Sequence, residues 1–306
     1  MVGEAYVRQV ALLVRILPII AREPVFALKG GTAINLFLRD LPRLSVDIDL
    51  TYLPIKDRAS SLGEIDEVFE RIAGEVKRQI PGVAVQRPSP QTGVETRLLI
   101  QQGGSVVKVE TSPVARGVVH EPSRLEASEA VQAQFGFVEV QAVSFEDLFA
   151  GKMVAALDRQ HPRDLYDIKL LFETEGLTEA LFRTFLVYAA SSSRPLHELL
   201  APNLKDMEQV YAREFVGMTR SPVELEDLHR ARTRLLREIH GRMDESAARF
   251  LLSVHDAKPA FELLNLPQAA ALPAIRWKSQ NLQRLLWENP EKHAAQRGLL
   301  SRSIQA

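Results

Sequence analysis

The chain has 306 residues, 46% of them hydrophobic and 25% charged, with a formal net charge of −1. This is globular composition, and near-neutral charge leaves nucleic-acid or membrane binding to a local patch rather than the bulk field. The absence of cysteine excludes disulfide and thiolate chemistry and is compatible with a reducing compartment.

In chain order, "MVGEAYVRQVALLVRILPIIAREPVF" reads as an amphipathic helix ending before Pro24. Arg8, Arg15 and Arg22 break its apolar run, which is too short to span a bilayer and lacks a small-residue cleavage signal. A cytoplasmic protein is the expectation. "VFALK" and "LSVDIDLTYL" read as strands, followed by a helix around "SLGEIDEVFERIAGEVKRQI" that Pro81 and Gly82 end. "TRLLIQ" and "SVVKVETSPV" form an expected hairpin, with Gly103 and Gly104 in its turn. "FGFVEVQAV" is a further strand. Ser144 and Asp147 resemble a capping box opening a helix to about Arg159, and Pro162 opens the next. Beyond Gly176 strand signals vanish. The expected fold class is α/β (α+β), divided as an N-terminal helix over 1–24, a catalytic domain over 25–175 and an all-helical domain over 176–306.

Candidate chemistry begins with "KGGT", a glycine turn between a strand and a helix, with Thr32 expected at the N-cap. Free N–H groups at a helix start bind anions, and glycine lets a phosphate approach the backbone. Strand alternation then places Leu44, Val46, Ile48 and Leu50 on one face and Arg43, Ser45, Asp47 and Asp49 on the other. The two carboxylates fall about 7 Å apart along one face. Aspartate is disfavoured in strands, and a solvated face is the plain reading of an isolated D-x-D. Coupled to a phosphate cradle, the pair instead suits a divalent cation, since Mg²⁺ takes hard oxygen ligands from carboxylates and phosphates.

In "VVKVETS", Lys108 and Glu110 share a face opposite Val107 and Val109, which makes Glu110 a third acidic candidate. Lys152 is a lone charge in the apolar stretch "LFAGKMVAALD"; it either snorkels to solvent or is aimed at an anion, and the anion is the reading adopted. Asp164 and Asp167 lie three apart on the next helix, beside Arg163. A charged helix start accounts for Asp164 better than for Asp167.

Together, "KGGTAINLFLRDLPRLSVDIDL", "VKVETS" and "FAGKMVAALDRQHPRDLYDIKLL" resemble the AbiEii and MenT nucleotidyltransferase-like toxins of the DNA polymerase beta-type superfamily. The resemblance covers about residues 25 to 172. It implies a nucleotidyltransferase fold, a mixed sheet flanked by helices, with a helical C-terminal domain. It also implies the toxin half of a type IV, abortive infection-like toxin–antitoxin system, so a cognate antitoxin is an expected partner. Some members of the group transfer a nucleotide to the 3′ end of tRNA and so block aminoacylation. Carried over, Gly30, Gly31 and Thr32 match the superfamily's Gly-Ser turn, with threonine replacing serine. Asp47 and Asp49 match the metal pair, and Glu110 the third acidic position. Lys152 matches the lysine of the third motif, and Arg163, Asp164 and Asp167 its closing Arg-Asp-x-x-Asp. The implied catalytic set is Asp47, Asp49, Glu110, Lys152 and Asp167. The implied nucleotide-binding set is Lys29, Gly30, Gly31, Thr32, Arg43, Ser45, Lys152, Arg163 and Asp164. Mg²⁺ or Mn²⁺ is the expected cofactor and a nucleoside triphosphate the substrate.

In the helical half, Arg230, Arg234 and Arg237 fall on one helical face. They are either a solvated face or a phosphate-tracking stripe, and are carried as RNA-binding candidates for a tRNA acceptor. Trp277 and Trp287 read as core residues rather than base-stacking platforms. The histidines show no zinc spacing, and no serine sits in a nucleophile elbow. Two alternatives stay open: transfer to a protein hydroxyl or small molecule, and a non-catalytic nucleotide-binding module. Three carboxylates without cations repel one another, which argues against the latter.

Overall fold

The computed structural model describes residues 4–88 and 96–305, which divide into two compact units. The first comprises Met1–Ser144 and Val216–Pro222; the second comprises Phe145–Phe215 and Val223–Ala306. The division at 144 falls earlier than the expected domain edge at 175, so the lysine and Arg-Asp-x-x-Asp helices belong to the helical unit.

The first unit contains α1 (Glu4–Ile20), β1 (Phe26–Lys29), α2 (Gly30–Ala33), β2 (Asp47–Tyr52) and α3 (Arg58–Gln79). Then follow β3 (Ala84–Gln86), β4 (Arg97–Gln102), β5 (Ser105–Thr111), β6 (Ser123–Glu126), α4 (Glu129–Phe135) and β7 (Glu139–Ala142). The seven strands make one mixed sheet in the order β3-β4-β5-β2-β1-β7-β6. β2 runs parallel to β5 and antiparallel to β1, while β1 runs parallel to β7.

Side-chain alternation explains why β2 and β5 sit at the centre. Ile48, Leu50, Val107 and Val109 are fully buried, and the residues between them, Asp47, Asp49, Lys108 and Glu110, are only partly covered. The expected hairpin is present as β4 and β5, with Gly103 at φ 55° and Gly104 at φ 81° supplying the turn. The expected strand around "FGFVEVQAV" narrows to β7, because α4 runs through Phe135 and ends at Gly136, φ 96°. The β2 strand starts at Asp47 instead of Leu44; upstream, Arg43 forms an isolated β-bridge with Thr219.

The second unit is helical, as expected beyond Gly176. It contains α5 (Phe145–Asp158), α6 (Pro162–Glu173), α7 (Glu179–Ser191), α8 (Leu196–Leu200) and α9 (Glu208–Glu214). It continues with α10 (Leu225–Gly241), α11 (Glu245–His255), α12 (Pro273–Glu288) and α13 (Pro290–Gln305). Pro162 occupies the first turn of α6, where its missing N–H costs nothing, and His161 caps that helix by accepting from the Arg163 N–H at 3.1 Å. No helix among the described residues is long and apolar enough to cross a membrane.

Candidate active site

The glycine turn lies where β1 ends and α2 begins. Gly30 has φ 73°, a conformation that side chains other than glycine rarely adopt. A Cβ on Gly30 would overlap the Asp49 carboxylate, so the bare glycine leaves the space into which Asp49 reaches. Gly31 is needed for a different reason: a Cβ there would lie 2.8 Å from Arg43 Nη2 and 2.9 Å from Ser45 Oγ. Two glycines therefore admit, in turn, a carboxylate and a guanidinium–hydroxyl pair.

Thr32 is not the N-cap. The helix opens at Gly30, with Lys29 in the cap position in extended conformation and making no side-chain cap bond. The helix thus starts three residues earlier than a Thr32 cap would place it, with Gly30 at positive φ as its first residue. Thr32 is instead buried, its hydroxyl donating to the Asp47 carbonyl at 2.5 Å and lying 3.0 Å from Ser45 Oγ. It ties the glycine turn to the start of β2. The five residues after α2, Ile34–Leu38, form a π-helical turn, and Asn35 Nδ2 donates to the Gly31 carbonyl at 2.8 Å.

Strand register assembles the acidic residues. Asp49 is flanked by Lys29 on β1 and Glu110 on β5, and Asp47 is paired in register with Lys108. Lys108 Nζ lies 2.9 Å from Glu110 Oε1 and 4.0 Å from Asp47 Oδ2; Arg97 Nε lies 3.3 Å from Glu110. Desolvation lowers the Lys29 pKa, and the charges of Asp49 and Glu110 partly restore it. Lysines thus offset the mutual repulsion of the carboxylates. Lys108, noted in the sequence only as a neighbour of Glu110, is an integral part of this cluster.

The fit to a divalent cation follows from the donor set. Among the described residues no three His, Cys, Asp or Glu side chains converge as a ready-made cage. Mg²⁺ does not need one, because it is commonly held by one or two carboxylates together with substrate phosphates and water. Asp47 and Asp49, on one face beside a glycine turn that leaves room for the Asp49 carboxylate, supply that kind of site.

Lys152 is aimed at anionic groups, and these are carboxylates of the chain itself. It neither snorkels nor stands as a lone charge: it is buried, with Nζ 2.9 Å from Asp164 Oδ1 and 3.0 Å from Asp167 Oδ2. Asp167 is fully buried, and Asp164 also takes Arg159 Nη2 at 2.8 Å. Arg163 is half-buried beside them on α6. The apolar run around Lys152 conceals an ion-paired cluster whose acidic partners come from the next helix.

The arginine stripe on α10 is exposed, but its charge is answered locally. Arg230 pairs with Asp227, and Arg234 and Arg237 each lie 3.8 Å from Glu238 Oε1. Arg234 also lies over the Phe172 ring, 4.7 Å from its centroid.

The family profile described as nucleotidyl transferase AbiEii toxin, type IV TA system, matches residues 11–280. This chain belongs to the AbiEii nucleotidyltransferase toxin family. Its fold is similar to that of MenT4, nucleotidyltransferase toxin Rv2826c from Mycobacterium tuberculosis H37Rv. The TM-score is 0.62 at 16% identity, covering 93% of this chain and 94% of that one. A weaker likeness, TM-score 0.30 at 13% identity, is to terminal uridylyl transferase 4 from Trypanosoma brucei with bound dUTP, covering 95% of this chain and 94% of that one. No curated protein sequence matches the chain. The AbiEii member described here is accordingly a nucleotidyltransferase with a mixed seven-stranded sheet and a helical C-terminal half.

Proposed function

We propose that this AbiEii-family toxin transfers a nucleotide from a nucleoside triphosphate to the 3′ end of tRNA, blocking its aminoacylation. The observation that carries the nucleotide half of this reading is the register that sets Asp49 between Lys29 and Glu110, beside the Gly30-Gly31 turn. The tRNA half rests on the family resemblance. The turn's N–H groups and Lys29 orient the triphosphate, and Thr32 keeps the turn fixed against β2. Asp47 and Asp49 hold a divalent cation, which when bound neutralises phosphate charge. Glu110 is the candidate base for the attacking hydroxyl. The acceptor oxygen then bonds to the α-phosphorus as pyrophosphate leaves, a displacement driven mainly by positioning and charge neutralisation. Roles for Lys152, Arg163, Asp164 and Asp167 in holding nucleotide belong to the same proposal and rest on the motif resemblance. A cognate antitoxin follows from that resemblance, and a cytoplasmic setting from the amphipathic reading of the N-terminal segment.

The deciding experiment incubates the purified protein with each α-labelled triphosphate and total bacterial RNA, with Asp49→Asn as control. Label appearing in tRNA with the wild type alone supports the reading. Label in protein or in a small molecule, with tRNA unlabelled, replaces it.

A further inference from the structure

The sequence places Trp277 and Trp287 in the core, and the structure does not. Trp277 is 43% and Trp287 85% exposed, both on α12. The helix buries its opposite side through Ala274, Ile275, Lys278 and Leu282, which fixes which face remains outward. Arg276, Trp277, Arg284 and Trp287 are exposed, and so, at the C-terminal end of the helix, are Leu286 and Glu288.

The charges on this face differ from those on α10. Arg230, Arg234 and Arg237 each have a carboxylate within ion-pair distance. Among the described residues neither Arg276 nor Arg284 has one; Arg284 makes only a 3.4 Å bond to the Asn281 side chain. Glu288, at the last position of α12, is the helix's one acidic residue. A soluble surface gains nothing from a tryptophan held almost wholly in water. With Arg276 beside Trp277 and Arg284 between the two indoles, and neither guanidinium ion-paired, this face fits an anionic ligand with flat, stackable faces.

We propose that the outward face of α12 binds unpaired nucleotides of RNA, with Trp277 and Trp287 stacking bases and Arg276 and Arg284 neutralising phosphates. Ten residues of helix separate the tryptophans by about 15 Å, a span that two to three extended nucleotides cross. Aromatic platforms combined with basic side chains are the general means of holding single strands without reading sequence. The occupant is chosen by charge: an apolar protein partner would leave both guanidiniums unanswered. The inference deepens the reading of tRNA as acceptor and rests on it for the biological source of the RNA, but not for binding itself.

The test uses the full chain and a fluorescein-labelled 12-mer of oligouridylate, followed by anisotropy and by quenching of tryptophan emission. An abasic 12-mer of equal charge serves as the control. Wild type should bind the oligouridylate more tightly than the abasic strand. Trp287→Ala, a change at an exposed position that should not disturb folding, should weaken oligouridylate binding by about tenfold and leave abasic binding unchanged. Arg276→Gln with Arg284→Gln should weaken both strands and flatten the salt dependence by about 0.7 in log–log slope per phosphate lost. Equal binding of the two strands, or unchanged binding by Trp287→Ala, overturns the proposal. So does a wild-type dimer that Trp287→Ala converts to monomer with no change in RNA affinity, which would assign the face to a second copy. If oligouridylate binds through the tryptophans but no tRNA is labelled by the enzyme, the acceptor reading falls and this one stands. Labelled tRNA with unchanged variants gives the reverse.

Discussion

Asp49 sits in a confined place in the candidate site. Its carboxylate occupies the space above Gly30, between Lys29 and Glu110 in register. Asp49→Asn keeps the shape and removes the charge, so the fold should survive while transfer falls by roughly 10³-fold or more. Circular dichroism with a transfer assay checks both halves; wild-type turnover would refute the metal-ligand role. Gly30→Ala should act differently, because the methyl group displaces Asp49 and strains a positive φ. An ångström of displacement at a reacting centre costs on the order of 10²-fold, so activity should fall further than thermal stability does. The Asp47–Asp49 alternation was readable from sequence because a strand has period two. The role of Thr32 was not, because a helix start depends on Gly30's backbone angle, which the letters K-G-G-T leave open. The partners of Lys152 were hidden for a related reason: they are twelve and fifteen residues away and meet it only when α5 packs against α6. Lys152→Met should therefore cost about 3–5 kcal/mol, lowering the melting temperature on the order of 10 °C. Adding Asp164→Asn and Asp167→Asn should restore much of that loss. An unchanged melting point for Lys152→Met would refute the account.

Among the elements, α12 shows how one helix can be tied down by its one buried ion. Lys278 Nζ donates to the carbonyls of Ser192 at 2.8 Å and Arg194 at 2.5 Å, where α7 ends. Burial pushes its pKa from 10.5 down to about 8, against a partial pull upward by Glu198. The folded state therefore loses this proton before the unfolded chain does. Between about pH 8 and 10.5 the unfolded chain holds more protons, so the contribution of Lys278 to stability rises with pH in that window. Below pH 8 both states are charged and the desolvation penalty is felt in full. Urea denaturation of wild type and Lys278→Met at pH 7.5 and 9.5 reads the difference, since other groups cancel. The wild type should gain relative to the variant at the higher pH. A gap that stays constant or shrinks would show that Lys278 does not titrate there. Periodicity disclosed that this region is helical, and hydrophobicity suggested that its tryptophans are core. What periodicity could not disclose was which stripe of α12 meets a neighbour, and the helix buries Ile275 and Leu282 instead.

For the molecule as a whole, a net charge of −1 means that long-range attraction does not gather RNA. Binding of tRNA should therefore be local and steeply salt-dependent, with log affinity falling by about 0.7 to 0.9 per log salt for each phosphate neutralised. Filter binding from low to moderate salt tests this, and a flat dependence would exclude a phosphate-tracking surface. Changing Arg230, Arg234 and Arg237 to glutamine should reduce the slope by less than three contacts' worth, because Asp227 and Glu238 already answer those charges. The general plan, a mixed sheet followed by helices, was legible from alternation giving way to helical periodicity. The strand neighbours were not: β2 lies beside β5 across more than fifty residues of sequence, and no local pattern encodes such a pairing.

Residues 216–222 leave the helical unit and return to the first one. There the Met218 carbonyl accepts the Leu44 N–H at 2.9 Å, and Thr219 bridges Arg43, whose guanidinium reaches Gly31. This return has a consequence in time. During synthesis every strand of the sheet has been made once Ala142 is out, yet the brace behind the glycine turn is still unmade. At about 5–20 residues per second, that brace trails the sheet by several seconds. A growing chain of this toxin should thus carry an unbraced glycine turn until most of its length has left the ribosome. Ribosome-arrested chains with residues up to 200 or up to 240 exposed, both of which include the lysine and Arg-Asp-x-x-Asp helices, can be compared by nucleotide crosslinking. Only the longer should label, and equal labelling would show that the late segment is dispensable.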